Sequence, residues 1–349
     1  MFNDSIAKDL KDKINKDPNN IDNYRALANH YVENNDLTSA ASVYEKILEI
    51  KEDDFQSLIN LGSIYFYKKM YLEAINCYNK SAETEKDNYA TYYNLANVYA
   101  EIDNFNNALE NYKHAIEINP NIPDTYSALG YLYSDIEDYE TAIKYYNKAI
   151  ELDGNNPENY ISIANIMQKN NNLNEALNYF KKAYDINPDD VKAVLSLANI
   201  YAELKDYKNA QKLYECAIKI NPQYYSIWVC RAIAYCDENN NQEAIPLLKH
   251  AIELYPDKIN AYILLANILM EEKRYEEALL LYKTTQKISH NDAKILTLIA
   301  NTYIMMQDYD SAVKYYKKAM KQEPKNNEIK LIYLDIIDNY ISQKNKGDK

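Results

Sequence analysis

The hydrophobic and polar residues of this 349-residue chain repeat with a period of 34. Within each period, apolar residues recur at spacings of three and four in two consecutive segments, a pattern that predicts a pair of amphipathic helices. The pattern runs without insertion or deletion through residues 21–326 and forms nine repeats. The repeats begin at Ile21, Phe55, Tyr89, Pro123, Pro157, Val191, Tyr225, Ile259 and Ala293.

Two positions in every repeat hold only small side chains. With each repeat numbered from 1 to 34, position 8 is alanine or glycine in all nine repeats, and position 20 is always alanine. Larger residues surround them: position 7 is leucine or isoleucine in eight repeats, and positions 11 and 24 are each tyrosine in seven. We therefore expect two closely approaching helices whose large side chains fill the gaps beside the small ones.

Polar residues and prolines mark the ends of the predicted helices. Position 16 is Asp or Asn in seven repeats, which predicts the N-cap of the second helix because these side chains accept a bond from a free backbone amide. The seven residues are Asp36, Asn104, Asp138, Asn172, Asp206, Asn240 and Asp308. A proline that stops the second helix closes five repeats, at Pro120, Pro188, Pro222, Pro256 and Pro324.

This pattern resembles the tetratricopeptide repeat. The third repeat carries the signature residues of that family, Tyr92, Leu95, Ala96, Tyr99, Ala108, Tyr112, Ala115 and Pro120. The resemblance implies an all-α fold, a right-handed superhelical solenoid of antiparallel helix pairs. It assigns the nine repeats to residues 21–326, an N-terminal capping helix to residues 1–20, and a C-terminal capping helix with a short tail to residues 327–349.

One position departs from the family. The family favours glycine at position 15, where the first helix turns into the second, but no repeat of this chain has glycine there. Asparagine and aspartate tolerate left-handed backbone, whereas lysine, glutamate and glutamine lose about 1 kcal/mol or more in it. We therefore expect the turns at Lys69, Glu137, Lys205, Lys273 and Gln307 to relax to another geometry.

Composition and charge restrict the function. Only four glycines and nine prolines occur, and 47% of the residues are hydrophobic, which is typical of an all-helical protein with a large core. The net charge of −13 and the pI near 4.9 disfavour nucleic acids and anionic membranes as partners and favour basic ones. Four cysteines without paired spacing predict free thiols, and no signal peptide or membrane span is evident, so we expect a cytoplasmic protein.

No motif for catalysis or cofactor binding occurs in the sequence. The glycines, Gly62, Gly130, Gly154 and Gly347, are too few and too scattered for a phosphate-binding loop or a nucleophile elbow. The histidines are isolated, and the cysteines lack the spacing of metal ligands. We therefore expect no catalytic residue, no cofactor and no metal site.

The resemblance also implies where a ligand binds. In this family the first helices line a concave groove, mainly through positions 2, 5, 6, 9, 12 and 13. Position 9 is asparagine in six repeats, and position 6 adds two more. Amides spaced one repeat apart can bind the backbone of an extended peptide. This predicts a peptide-binding role for Asn29, Asn60, Asn94, Asn97, Asn165, Asn199, Asn267 and Asn301.

Position 13 adds an acidic stripe to the same surface. Its carboxylates would attract basic segments and affect encounter rate and selectivity more than affinity. The acidic residues are Glu33, Glu101, Asp135, Glu203, Asp237 and Glu271. A purely structural or solvent-facing role stays open for both stripes, because asparagine is common at position 9 of the family and both residue types are frequent in this chain.

The sequence thus predicts a non-catalytic adaptor or assembly scaffold that holds an extended peptide, preferably a basic one, in its groove. We expect a monomer, and the alternative is a self-assembling repeat protein that forms homo-oligomers through its groove or end caps. A third hypothesis is a receptor for the carboxylate tail of a chaperone. Arg25, Asn29 and Asn60 match half of that clamp, but Ala90 and Asn94 replace the later basic residues.

Overall fold

The computed structural model of the protein describes residues 2–290, 292–334 and 337. Over these residues the chain is all-α, and short turns join the helices. The helices are α1 (Phe2–Lys16), α2 (Ile21–Glu33), α3 (Leu37–Ile50), α4 (Phe55–Tyr67), α5 (Tyr71–Thr84), α6 (Tyr89–Glu101), α7 (Phe105–Ile118), α8 (Pro123–Asp135), α9 (Tyr139–Leu152), α10 (Pro157–Lys169), α11 (Leu173–Ile186), α12 (Val191–Glu203), α13 (Tyr207–Ile220), α14 (Tyr225–Asp237), α15 (Asn241–Leu254), α16 (Ile259–Glu271), α17 (Tyr275–Ile288), α18 (Ala293–Met305) and α19 (Tyr309–Gln322). Residues 327–334 are also helical; apart from residue 337, the rest of the predicted C-terminal cap and tail lies outside the described residues.

The helices pack as consecutive pairs, one pair in each sequence repeat. The first helices of the nine repeats are α2, α4, α6, α8, α10, α12, α14, α16 and α18. Each begins at the residue where its repeat begins, and its strongest packing is against the helix that follows it. A turn of only three residues reverses the chain between them, as expected for antiparallel neighbours. The predicted all-α fold of helix pairs is therefore confirmed.

Two compact bodies make up the fold. The N-terminal body, residues 1–186, contains α1 and five helix pairs. The C-terminal body, residues 187–349, contains four helix pairs. Within each body, the second helix of one pair contacts the first helix of the next, so the core continues from pair to pair.

The small residues lie where the two helices of a pair touch. All nine alanines at position 20 have no exposed surface, and the alanines and glycines at position 8 are buried as well. The tyrosine at position 24 covers position 8 of its own repeat: a Cβ placed on Gly130 would lie 2.7 Å from ring carbons of Tyr146. Gly62 faces Tyr78 in the same way. The predicted close packing of small against large residues is confirmed.

The turn inside each repeat has left-handed backbone at position 15 in all nine repeats, with φ between 57° and 63°. The side chains held there against expectation are Lys69, Glu137, Lys205, Lys273 and Gln307. The prediction that these turns would relax is therefore wrong. In the fourth repeat the Glu137 amide donates to the Ser134 carbonyl at 3.1 Å, and the Asp138 amide donates to the Tyr133 carbonyl at 2.9 Å. Equivalent bonds recur in every repeat and outweigh the steric cost of a side chain in this conformation.

The next residue, at position 16, caps the second helix. Asp138 accepts a hydrogen bond from the Thr141 amide at 3.2 Å. The same bond to the residue three positions on is made by Asp36, Asn104, Asp206 and Asp308. Asn240 occupies the cap position of α15 without a side-chain bond, and Asn172 directly precedes α11. In the five repeats with the side-chain bond, the residue at position 16 donates its backbone amide to the first helix and caps the second helix with its side chain.

Replacing Glu137 with glycine should raise the free energy of unfolding by about 0.5–1 kcal/mol. Relief of the left-handed strain contributes about 1–2 kcal/mol, and the greater freedom of glycine in the unfolded chain offsets about half of it. Urea denaturation measures the change. Asp103→Gly is the matched control, with a smaller expected gain because aspartate tolerates this backbone; equal gains at the two sites would contradict the explanation.

Candidate functional site

The first-helix surface is defined here by positions 2, 5, 6, 9, 12 and 13 of the first helices. In the N-terminal body it runs along α2, α4, α6, α8 and α10, and in the C-terminal body along α12, α14, α16 and α18. All fourteen predicted peptide-binding residues lie on these helices. Because the two bodies are separate, each carries its own part of the asparagine and acidic stripes.

Most asparagines at position 9 are bonded to the tyrosine at position 24 of their own repeat. The tyrosine hydroxyl donates to the asparagine Oδ1 in the pairs Tyr44–Asn29 (3.1 Å), Tyr112–Asn97 (2.6 Å), Tyr214–Asn199 (2.8 Å), Tyr282–Asn267 (2.5 Å) and Tyr316–Asn301. Burial raises the pKa of Tyr282 and of Tyr316 to about 12, so these hydroxyls remain donors at neutral pH. A buried hydroxyl without an acceptor would cost about 1–3 kcal/mol.

These bonds give the asparagines at position 9, called the asparagine ladder below, a structural role that the sequence alone left open. Each tyrosine hydroxyl occupies one of the two acceptor sites of its asparagine oxygen, so the amide hydrogens are the main groups left for a ligand. A ladder of donors favours the carbonyl oxygens of a peptide backbone.

Asn165 on α10 differs from the other asparagines at position 9. Its repeat has Phe180 at position 24, so the hydroxyl that engages the other asparagines is missing. Asn165 is exposed, and the fold gives no reason for an amide there. In the seventh repeat, by contrast, Leu248 at position 24 is accompanied by the apolar Ile233 at position 9. Asn165 is therefore the member of the ladder whose identity the packing does not explain.

The two asparagines at position 6 have different surroundings. Asn60 donates from Nδ2 to the Tyr44 hydroxyl at 3.0 Å and accepts at Oδ1 from Gln56 at 3.1 Å. It thus ties the second repeat to the first. Asn94 on α6 is partly buried. The structure brings Asn60 together with Asn29 around the Tyr44 hydroxyl, and their polar groups are largely used within the protein.

The residues that match half of a carboxylate clamp are also engaged internally. The Arg25 guanidinium binds Asp54 at 2.5 Å and Asp22 at 3.0 Å. Asn29 and Asn60 are both bonded to Tyr44. The arginine is therefore paired with two carboxylates within the protein, and the chaperone-tail hypothesis gains no support.

The acidic stripe lies at the C-terminal ends of the first helices. Its six residues are exposed, and each is the last residue of its helix: Glu33, Glu101 and Asp135 in the N-terminal body and Glu203, Asp237 and Glu271 in the C-terminal body. The helix dipole is negative at this end, so a carboxylate there is unfavourable by about 0.3–1 kcal/mol. Position 13 therefore carries negative charge at a place where stability alone favours a cation or a neutral residue.

Position 13 also contacts the preceding repeat. The Tyr71 hydroxyl donates to Glu101 at 3.4 Å, and Asn241 Nδ2 donates to Glu271 at 3.2 Å. In the fifth repeat the position is basic, and Lys169 Nζ donates to the Tyr139 hydroxyl at 3.3 Å. These long bonds leave the carboxylates exposed to solvent and to a ligand.

Apolar side chains on the same surface were missed by the sequence analysis. Between α2 and α4 an open depression of about 500 Å³ is lined by Val32, Tyr67, Asn29 and Asn60, among others. Val32 is 42% exposed and Tyr67 is 72% exposed. Exposed apolar residues at equivalent places are Tyr131 and Ile233 at position 9 and Met305 at position 13. Their signal in the sequence was a departure from the asparagine or acidic residue of the other repeats.

The unusual residues of the seventh repeat have structural partners. Arg231, at a position that is otherwise leucine or isoleucine, donates to Gln211 and Glu215 at 2.9 Å each. Trp228 donates from its indole nitrogen to the Pro222 carbonyl at 2.9 Å. The four cysteines are free thiols, and burial raises the pKa of Cys230. These contacts account for Arg231 and Trp228 as structural residues and do not indicate a catalytic or metal-binding role.

The described residues show neither a metal site nor a membrane-spanning helix. They contain no group of three or more histidine, cysteine, aspartate or glutamate side chains placed to hold a metal ion. None of their helices combines the length and the apolar character needed to cross a membrane.

One of three comparisons with solved structures supports the fold. The complex described as the APC/C hetero-tetramer Cut9-Hcn1 is 15% identical, with a TM-score of 0.54; the match covers 86% of this chain and 58% of that one. The C-terminal part of a TPR repeat-containing protein from Cytophaga hutchinsonii is 18% identical, with a TM-score of 0.49 and coverage of 78% and 97%. MamA is 25% identical, with a TM-score of 0.44 and coverage of 49% and 94%. At 15% identity, the first of these structures supports the fold and nothing beyond it.

Comparisons at the level of sequence identify the family. Among curated proteins none matches the chain. Residues 53–121 and 87–155 match the tetratricopeptide repeat, and residues 156–345 match the family described as cilia and flagella-associated protein 70 C-terminal domain. The second match covers more than half of the chain and continues where the first one ends. With the helix pairs and small-residue positions described above, these matches show that the chain belongs to the tetratricopeptide-repeat family.

Proposed function

We propose that this protein is a non-catalytic scaffold whose first-helix surface holds an extended, basic segment of a partner protein. Repeats of this family serve protein interaction. The proposal that the bound segment is basic rests above all on one observation, the six exposed carboxylates that end the first helices. The proposal places this activity in the cytoplasm, with the nine repeats of residues 21–326 of one molecule as the binding region.

The position of the carboxylates supports a functional role. Each one works against the helix dipole and lowers stability slightly, yet six of the nine repeats have it. A charge that recurs at a place where the local rule of stability disfavours it is a candidate for function. Along an extended segment, carboxylates one repeat apart would select lysine or arginine side chains.

The amides and the apolar side chains complement this charge. Amide hydrogens on Asn29, Asn97 and Asn165 can bind carbonyl groups of a peptide backbone whatever its sequence. The depression beside Val32 and Tyr67 can take one apolar side chain of the same segment. With a net gain of about 0.5–1.5 kcal/mol for each hydrogen bond, and with the cost of association, we expect micromolar affinity for a short peptide.

A Lys-rich peptide should bind about tenfold more tightly than a Glu-rich peptide of the same length, and added salt should weaken its binding. Fluorescence anisotropy with labelled peptides measures both affinities. The double variant Glu101→Gln, Asp135→Asn should lose several-fold in affinity for the Lys-rich peptide while gaining about 0.3–1 kcal/mol of stability for each residue. Equal binding of the two peptides would refute the electrostatic part of the proposal.

Two controls separate binding from other effects. Glu110→Gln with Glu117→Gln on α7 makes the same change in net charge on the second-helix side and should leave the affinity unchanged. Asn165→Ala removes a ladder amide without leaving a tyrosine hydroxyl unpaired, so it should weaken peptide binding at unchanged stability. If the α7 variant lost as much affinity as the stripe variant, the attraction would come from net charge and not from the stripe.

A further inference from the structure

The charge of the protein is unevenly divided between its two bodies. Residues 1–186 contain 17 basic and 30 acidic residues, a balance of −13, whereas residues 187–349 contain 22 of each and are neutral. The whole net charge therefore lies in the N-terminal body. The C-terminal body contains the most basic of the helices α1–α19, α19, which has four lysines and one acidic residue. Such asymmetry along a chain often accompanies an interaction between oppositely charged surfaces.

An open groove, named the α3–α5 groove, is bordered by the second helices of the first two repeats. It has a volume of about 820 Å³, and its apolar floor is made by Leu48, Leu58, Leu61 and Tyr65. The acidic side chains that line it are Glu45, Glu49, Glu52 and Glu73. A second depression of about 590 Å³ shares Glu52 and Lys80 with the groove and adds Asp53 and Glu83. An apolar floor between acidic edges is suited to a basic amphipathic helix.

Internal partners neutralise only part of the charge of this groove. Lys46 Nζ lies 2.6 Å from Glu49, and Lys80 Nζ lies 3.1 Å from Glu52. Glu45 accepts a hydrogen bond from the Tyr65 hydroxyl at 2.7 Å. Two lysines thus face six carboxylates across the groove and its neighbouring depression, and the surface keeps an excess of negative charge.

A basic face on α19 has the complementary composition. Lys314, Lys317, Lys318 and Lys321 are spaced three, four and seven residues apart and therefore lie on one side of the helix. Together with Asp310 they surround Val313 in a shallow depression of about 400 Å³. All four lysines are exposed, and in the part of the chain that the structure describes none of them forms an ion pair. Like charges at these spacings repel one another, so the face destabilises its own helix slightly.

We propose that the basic face of α19 in one molecule docks on the α3–α5 groove of a second molecule. The lysines pair with the acidic edges, and Val313 lies over the apolar floor. The two surfaces are different parts of the chain, so the contact is heterologous and joins molecules head to tail. The occupant is a second copy because its own α19 supplies the charge, the apolar centre and the helical spacing that the groove requires.

The chemistry of the contact sets its strength. Ion pairs at an exposed surface are individually weak and are screened by salt. The floor adds a limited apolar area. We therefore expect reversible association with micromolar affinity that disappears as ionic strength rises. The contact uses a surface separate from the first-helix surface proposed to hold the peptide.

Sedimentation velocity of the full chain over a concentration series tests this proposal. At low ionic strength the average mass should rise above the 40.7 kDa of one chain as concentration increases, and at high ionic strength it should return to that value. The triple variant Lys314→Glu, Lys317→Glu, Lys321→Glu should remain monomeric. The triple variant Glu49→Lys, Glu52→Lys, Glu73→Lys should also be monomeric, and mixing the two variants should restore association because opposite charges meet again.

A matched control makes the same charge change elsewhere. Lys208→Glu, Lys212→Glu and Lys219→Glu on α13 reverse three exposed lysines and should leave association intact. Circular dichroism establishes that each variant is folded. A monomer at every concentration and salt level would overturn the proposal, as would equal loss in the α13 variant or a failure of the mixed variants to associate.

Discussion

Replacing Arg25 with methionine should lower the free energy of unfolding by about 2–4 kcal/mol, because it leaves a buried carboxylate without its counterion. Asp54 is only 2% exposed, and its closest positive group is the Arg25 guanidinium at 2.5 Å. Methionine keeps much of the aliphatic stem of arginine, so the loss reflects charge more than packing. Lys51 Nζ, at 3.8 Å, compensates only in part.

The effect of this substitution should depend on pH. Burial raises the pKa of Asp54, but hydrogen bonds from Ser57 and the nearby charge of Arg25 outweigh it, so the pKa lies below its usual value. A carboxyl group with a lowered pKa stabilises the fold above its unfolded pKa of about 4, and that stabilisation is lost as the pH falls through the folded pKa. The difference between the native protein and Arg25→Met should therefore shrink below about pH 4.

Urea denaturation together with hydrogen exchange of the α2 and α4 amides measures both effects. Asp22→Asn is the control, since Asp22 binds the same guanidinium at 3.0 Å but is 85% exposed. Its cost should stay within about 0.5 kcal/mol. A loss in Arg25→Met no larger than this, or one that does not change with pH, would contradict the assigned role of the ion pair.

Replacing Ala142 with leucine should lower the free energy of unfolding by about 1–3 kcal/mol through overpacking. Ala142 has no exposed surface and packs in a cluster with Tyr146, Ile163 and Ile166. The side chains around it are close-packed and cannot move apart without loosening the next helix pair. Because each repeat packs only on its neighbours, we also expect less cooperative unfolding, measured as a smaller urea m-value.

Lys144→Leu provides the control for this prediction. Lys144 is on the same helix, is 69% exposed and makes one surface ion pair with Glu140. The same leucine there should change stability by no more than about 0.5 kcal/mol. If the two variants were equally stable, position 142 would not face its partner helix and the register of the pair would be wrong.

The parts of the fold that sequence predicts are those set by packing within one repeat. Ala142 and Gly130 must be small because a second helix lies against them, and this requirement recurs every 34 residues. A periodic constraint of this kind is visible without coordinates. The helix starts at Tyr89 and Pro123 follow from the same period.

Other features depend on geometry that no residue type reveals. The left-handed turn at Glu137 was missed because two backbone hydrogen bonds, which any residue can make, outweigh a side-chain preference. The bond from Tyr112 to Asn97 joins positions fifteen residues apart, so its structural role emerges only when both helices are placed. The exposed Tyr67 does not follow from the shared pattern of the repeats, because six of the nine have an acidic residue at its position.

The turn within each repeat consists of only three residues, and this restricts how the chain can change in length. The Asp138 amide bonds to the first helix and its side chain caps the second helix. One inserted residue would therefore separate the capping carboxylate from the amide of Thr141. Insertion or loss of 34 residues, by contrast, keeps the packing of one helix pair on the next in register. We therefore expect tolerated changes in length to come as whole helix pairs, as in a chain assembled by duplication of a single unit.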